Sequence, residues 1–462
     1  MELIASLIVV PVVAALLLLV IKNDRARDVV AIAFAALIAL LSIAFAVVFA
    51  GPGTYEFALP AEWGHPLSLA NLAIDLTVAI FVVCYAVRYK RPLALGLAAL
   101  QIVVALWFEL AVQAGAGFST TMRVDALGVV MVLIIGIVGS GICVYALGYM
   151  KDFQAHELHE NPQARDRRPW FFAIMFAFLS AMFNIVLVDN MAWMYTAWEV
   201  TTLCSFLLIG FTKSEEAINN AFRQIVMNLL GGVAFQFSLV YLGVFGLPLS
   251  FAMFVELGSA FPALVMLPVT LLAFAGITKA AQMPFHTWLL GAMVAPTPTS
   301  ALLHSSTMVK AGVFLLVKLS PIFAVSLVPS VMVVLVGVRV IRQRPLLFNH
   351  SILSLFLILI LGSLTLGFAF SDKWSLCSST GWGGAFGIET AALLRTHIGV
   401  LGTLILLLGC WILTGVFINR NFINKVNRAG NVMVDKSGKI VEIVKHKVVH
   451  AHGQTSDAAG DA

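Results

Sequence analysis

Apolar positions in this chain neither alternate nor keep to one helical stripe. They run for about twenty residues at a time, the length that crosses a bilayer as a helix, with short polar stretches between. About thirteen such runs are predicted on that length criterion, at roughly 3–21, 29–50, 71–87, 92–112, 126–149, 169–188, 190–211, 225–246, 261–282, 299–317, 322–338, 352–371 and 397–419. The fold class expected is all-α, a polytopic transmembrane helix bundle with at least one discontinuous helix. The first run is read as a span and not as a cleaved signal, because Met1-Glu2-Leu3 lacks a basic start and no small-residue cleavage site follows.

Composition excludes soluble domains. The chain is 61% hydrophobic and 11% charged, with a mean hydropathy of +0.99, whereas soluble domains carry about 25% charged residues. The five cysteines (Cys84, Cys143, Cys204, Cys377, Cys410) show no CxxC spacing and read as small buried residues. No ligand set for zinc or an iron–sulfur cluster stands out, nor a phosphate loop or dinucleotide fingerprint, so no cofactor is expected in this chain.

Charge supplies an orientation. Most of the 28 Lys and Arg residues fall in alternate connections: Lys22, Arg25 and Arg27; Arg88, Lys90 and Arg91; Lys151, Arg165, Arg167 and Arg168; Lys213 and Arg223; Arg339, Arg342 and Arg344; and the tail. The intervening connections hold Arg123, Lys318, Lys373 and Arg395. The positive-inside rule then places the N-terminus outside and the tail in the cytoplasm of a cell-membrane protein. The pI of about 9.0 fits loops facing anionic lipid and calls for no nucleic acid. Residues 151–168 are expected to be a cytoplasmic loop, with His156, Glu157, His159 and Glu160 on a solvated face and not around a metal. The tail alternates apolar and charged residues over Asn431–His446, as a small hairpin or as disordered chain.

Ionisable residues inside apolar runs are the candidate chemistry, because such residues mark ion or proton paths. Lys279 lies inside Leu271–Pro284, and Glu199 sits mid-run after Trp198. Burial and an opposite neighbouring charge act in opposing directions on an acid–base pair. A Glu199/Lys279 pair would therefore change protonation with its separation. His304, followed by Ser305, Ser306 and Thr307, can pass a proton between its ring nitrogens. Lys310, at i+6 on a continuous helix, would face another side, either as a relay member or snorkelling from a span end. Pro284, then Pro296 and Pro298, predict a helix interrupted across 279–298 and lining a polar interior. His286 stands near the break as a possible intake group. Asp125 and Asp189, at span ends, read as caps or interface anchors.

These residues carry a family resemblance. Trp198-Glu199, Cys204-Ser205 and Leu207–Phe211 resemble the glutamate helix of the antiporter-like subunits of complex I, Mrp-type cation antiporters and energy-converting hydrogenases. Lys279–Gly312 looks like that family's most characteristic block, in wording closest to the large membrane subunit of Ech-type NiFe hydrogenase. Arg123-Val-Asp125-Ala-Leu, Gly148-Tyr-Met150 and Asn220–Gly232 also fit. The resemblance implies Glu199 as modulating carboxylate, Lys279 as pump lysine on the broken helix and His304 as next relay. It implies partner subunits, membrane and peripheral, the latter holding the nickel-iron and iron–sulfur centres whose redox energy would drive translocation here. A complex I-like quinone oxidoreductase, an Mrp-type antiporter and a non-translocating remnant are the alternatives.

The resemblance covers about 120–320 and stops after about Val338. The family's Lys-Arg-Val-Leu-Ala-Tyr-Ser-Thr element, its later Lys-Ala-Leu-Leu-Phe and its second broken helix are absent. One base of frame shift would turn a possible coding of Leu347–Ser351 into the family's Tyr-Ser-Thr-Ile, as a frameshift or deletion near 340 would leave it. The expected organisation is thus 1–119, N-terminal spans; 120–320, translocation core; 321–419, atypical spans; and 420–462, polar tail.

Overall fold

The computed structural model describes residues 2–21, 23–49, 51, 53–109, 121–160, 162–163, 165–325, 348–369 and 384–418. The chain divides into two compact units, Met1–Arg344 and Pro345–Ala462. The first opens with helices α1 (Glu2–Val20), α2 (Asp24–Phe49), α3 (Gly64–Arg88) and α4 (Pro92–Trp107). It continues through α5 (Ala126–Leu133), a π-helical turn Ile134–Gly139, α6 (Ser140–Glu160), α7 (Arg168–Leu187), α8 (Met191–Ile209) and α9 (Glu215–Val244). Then come α10 (Phe251–Ala260), α11 (Pro262–Lys279), short α12 (Thr287–Gly291) and α13 (Thr297–Ala301), a second π turn Leu302–Ser306, α14 (Met308–Lys318) and α15 (Ser320–Val325). Among the described residues the bundle is all-α apart from one small ribbon that the apolar runs did not predict. In it β1 (Tyr55–Ala58) pairs antiparallel with β2 (Thr121–Val124), Tyr55 opposite Val124.

Seven described helices are long and apolar enough to cross a membrane, so the protein is multi-pass. Burial sorts them. α1 and α2 turn apolar residues such as Leu16 and Val47 outward, whereas 78% of the apolar window of α7 is inside. α7 packs on α1 and α8, α9 on α4, α8 and α11, α3 on α4 and α8, and α14 on α11. α8 itself is mostly buried yet carries Thr196, Glu199, Thr201, Thr202 and Ser205, which lowers its hydropathy below that of its neighbours. A helix walled in by protein can carry that polarity where a lipid-facing one cannot.

Ion pairs reproduce the alternate-loop sorting of charge. At one end Arg27 bonds Asp24 (2.7 Å) and Asp166 (3.4 Å), Arg168 bonds both, Lys151 pairs with Asp28 (2.6 Å), and Arg91 bonds Asn219. At the other, Arg123 pairs with Glu56 (2.6 Å) and Lys318 with Asp125 (3.3 Å). Asp125 caps α5 by accepting from the Gly128 amide, and Asp189 accepts from the Ala252 amide, the anchoring roles expected of them.

Several expected boundaries are corrected. α6 runs on to Glu160, so only the stretch up to Arg167 is a connection. Glu157 there binds Arg167, whose guanidinium also donates to the Phe211 carbonyl (2.6 Å). α10 fills a stretch read as a connection. Ser250 caps it (Oγ accepting from the Met253 amide), and its first turn is tied to Asp189. In the second unit α16 (Phe348–Ala369) and α17 (Gly384–Ile418) pack through Leu361, Leu364 and Leu407, and the Trp411 indole donates to Thr365 (2.9 Å). α17 starts well before 397 and kinks at Gly399, whose φ of 73° suits glycine. The span expected at 322–338 beyond Val325, the sequence step near 340 apart from the start of α16, Cys377 and the tail 420–462 lie outside the described residues.

Candidate functional site

Lys279 ends α11 and is completely buried. The helix stops there by a left-handed turn. Ala281 has φ 51°, the Ala281 amide donates to the Thr278 carbonyl (3.2 Å), and the Gln282 amide reaches back to Ile277 (3.1 Å). That double bond pattern is a Schellman motif, which satisfies terminal carbonyls. The stop therefore precedes Pro284, which lies beyond a cis Met283–Pro284 bond and follows the break instead of making it. The Trp288 indole, fully buried on α12, is a second donor to the Thr278 carbonyl (3.0 Å), so a side chain helps to satisfy the helix end at membrane depth. Pro296 and Pro298 stand at the start of α13, where a proline ring costs no helix hydrogen bond. The discontinuous helix expected across 279–298 is present.

Among the described residues the ammonium of Lys279 has no ion-pair partner. Its Nζ donates to the Trp198 carbonyl (2.6 Å) and to Thr202 Oγ1 (2.9 Å) and lies 4.5 Å from the centre of the Trp198 ring. The direct Glu199/Lys279 pair envisaged from the sequence is therefore replaced by contact with the residue before Glu199. Glu199 is 3% exposed, and among the described residues neither carboxylate oxygen meets a donor in full hydrogen-bond geometry. The Gln101 amide lies beside it, since a Cβ placed on Gly232 of α9 would collide with both.

From Lys279 toward the Arg91 end a buried polar series continues. Ser205 Oγ donates to the Thr202 carbonyl (2.8 Å), and the Gln224 amide donates to Ser205 Oγ (2.8 Å). On the other side of α8 lies Asp75 of α3, which accepts from Thr196 Oγ1 (3.1 Å). Asp75 lines two small cavities. One, of ≈ 30 Å³, is shared with Ser68, Asn71, Glu109, Tyr195 and Gln236. The other, of ≈ 10 Å³, reaches Gln101 and Glu199. Sequence reasoning passed over Asp75 and Glu109. The signal was there, a carboxylate inside each of two predicted spans.

His304 sits in the π turn Leu302–Ser306, its Nε2 buried without a partner. Helices often take a π turn at functional sites. The turn, and Thr307 with φ −126° and ψ −97°, break the continuous register that set Lys310 six residues on. The helix phase linking His304 to Lys310 is therefore not that of one α-helix. Among the described residues no hydrogen bond or ion pair joins Lys279, His304 and Lys310 to one another. No group of three His, Cys, Asp or Glu suited to a metal occurs among the described residues either.

Residues 188–341, which hold Glu199, Lys279, His304 and Lys310, match the family model described as NADH:quinone oxidoreductase/Mrp antiporter, TM. Residues 107–157 match the one described as NADH-Ubiquinone oxidoreductase (complex I), chain 5 N-terminus. Over these residues the chain is similar to the antiporter-like membrane subunits that these models describe. The Na(+)/H(+) antiporter subunit A1 of Staphylococcus aureus (strain bovine RF122 / ET3-1) is 33% identical over 213 residues, 46% of this chain and 25% of the relative. The same-named subunit of Staphylococcus haemolyticus (strain JCSC1435) matches to the same extent. The chain thus spans about a quarter of the length of these antiporter subunits. The Mrp complex from Dietzia sp. DQ12-45-1b is similar at 24% identity and a TM-score of 0.39, over 76% of this chain and 37% of that one. The finer likeness to an Ech-type subunit stays an expectation of the sequence.

Proposed function

We propose that this antiporter-like subunit translocates protons across the cell membrane, with Lys279 as the central carrier, Glu199 as the carboxylate that modulates it, and His304 and Lys310 as the next stations. The observation that carries the reading is Lys279. Its ammonium is wholly buried at the end of a broken helix, held by a carbonyl, a hydroxyl and an indole face and by no carboxylate. A structural lysine at membrane depth would be paired. Of the assemblies open to such a subunit, an Mrp-type cation/proton antiporter is favoured over a hydrogenase, because the relatives named above are Na(+)/H(+) antiporter subunits. Its partners are then other membrane subunits. Nickel-iron and iron–sulfur centres in peripheral subunits belong to the hydrogenase reading. The basic end of the bundle faces the cytoplasm, which puts the N-terminus outside.

The test is proton movement in vesicles carrying the assembled complex, followed with a pH-sensitive dye. Lys279→Ala is expected to abolish translocation while the protein still accumulates, since removal of a buried charge relieves its desolvation. Glu199→Gln is expected to slow it less completely. A wild-type rate for Lys279→Ala refutes the role. A response to added Na⁺ without any redox substrate supports the antiporter reading, and dependence on hydrogen the other.

A further inference from the structure

The two cavities lined by Asp75 do not include Lys279 and lead from Glu199 toward one end of the bundle. α3 and α4 bring Ser68 and Glu109 together there, with the Ser68 hydroxyl donating to the Glu109 carboxylate. That is the end of the β1–β2 ribbon, because β1 closes shortly before α3 begins. Deeper in, Asp75 belongs to both cavities, and the inner one ends on Glu199. The three carboxyl groups therefore follow one another from the ribbon end to the middle of α8. Among the described residues no lysine or arginine pairs with Asp75, Glu109 or Glu199.

The unpartnered atoms around these cavities say what fills them. Acceptors left open are Asp75 Oδ1, Gln236 Oε1 and both Glu199 oxygens; donors left open are Asn71 Nδ2 and Gln101 Nε2. Gln236 is 3% exposed and lines both cavities, and its own amide is already engaged with the Gln101 carbonyl (3.0 Å). A bare cation would satisfy the acceptors and be repelled by the amide donors. Water satisfies both kinds. A cavity of ≈ 30 Å³ holds about two waters and one of ≈ 10 Å³ about one.

We propose that Glu109, Asp75 and Glu199, bridged by water in these two cavities, form a proton branch joining the ribbon end of the bundle to the Lys279 site. This inference rests on the proposed role of Lys279. With the Thr202–Ser205–Gln224 series on the other side, the branch gives the first unit a route to both ends. The step along it is proton exchange between carboxyl and water, with no other bond made or broken. Asp75 is the station without which the branch is cut, as it alone of the carboxyls touches both cavities.

The experiment uses the full complex in native membranes. Dicyclohexylcarbodiimide reacts with protonated carboxyls in apolar surroundings, and its adducts are mapped by mass spectrometry. Modification of Asp75 or Glu109 is expected. No adduct on either overturns the proposal, and this readout stands even if substituted chains fail to accumulate. Asp75→Asn is expected to slow translocation at least roughly tenfold, with Asp75→Glu restoring it, as loss and return of a proton carrier would do. Wild-type translocation by Asp75→Asn alongside none by Lys279→Ala overturns the branch and spares the relay. Wild-type translocation by Lys279→Ala overturns the relay, and the branch with it.

Discussion

Gly232 shows how closely the site is built at the scale of one residue. Any side chain there meets the Glu199 carboxylate and, at 2.6 Å, the Gln101 amide nitrogen. Gly232→Ala is therefore expected to push Glu199 from its place. Overpacking of this kind costs about 1–3 kcal/mol, and translocation should fall with it. Gly148→Ala is the control, since a Cβ there meets nothing within 4 Å and alanine is favoured over glycine in a helix by about 0.5–1 kcal/mol. Thermal unfolding and vesicle assays on both variants decide it. Equal behaviour of the two would mean that Glu199 is free to move. This constraint was invisible in the sequence, where Gly231-Gly232 is simply a small pair in an apolar run. Lys279 and Glu199 were legible because an ionisable residue in such a run is conspicuous. What they touch was not, because the Trp198 carbonyl that takes the ammonium belongs to a backbone on another helix.

At the scale of the element, the break after Lys279 was legible and its cause was not. Proline drew attention to 284, whereas the helix ends by the left-handed Ala281. That conformation costs an L-residue roughly 1–2 kcal/mol, and glycine carries no such cost. Ala281→Gly is thus expected to raise stability by about 1 kcal/mol and to leave translocation unchanged, as the turn keeps its shape. A lowered melting temperature would show that the Ala281 methyl contributes packing that outweighs the backbone gain. The π turns Ile134–Gly139 and Leu302–Ser306 were equally hidden. Their sequences, Ile-Ile-Gly-Ile-Val-Gly and Leu-Leu-His-Ser-Ser, carry no proline, so residue pattern gives a plain helix. What marks them is packing on each other, a relation between segments far apart in the chain.

At the scale of the whole molecule, charge sorts to the two ends, and the ends are locked differently. Arg27 is 1% exposed yet is held by Asp24 and Asp166, and Arg168 is bonded to the same two carboxylates. Burial alone would push the Asp166 carboxyl up. Hydrogen bonds from Arg168 and the charges of Arg168 and Arg27 outweigh it and hold the carboxyl below its usual value. A carboxyl lowered in the folded state contributes stability above its unfolded value of about 3.9 and loses it as pH falls through the folded one. The contribution of Asp166 should therefore be constant across neutrality and be lost only under acid, below about pH 4. Asp166→Asn removes that acid step and lowers stability at neutral pH, leaving Arg27 with Asp24 as its remaining carboxylate. Thermal unfolding of the purified chain in lipid nanodiscs between neutral and acid pH reads both effects. An acid transition that persists in Asp166→Asn would place the sensitive carboxylate elsewhere, with Asp24, which bridges the same two arginines, the next to replace.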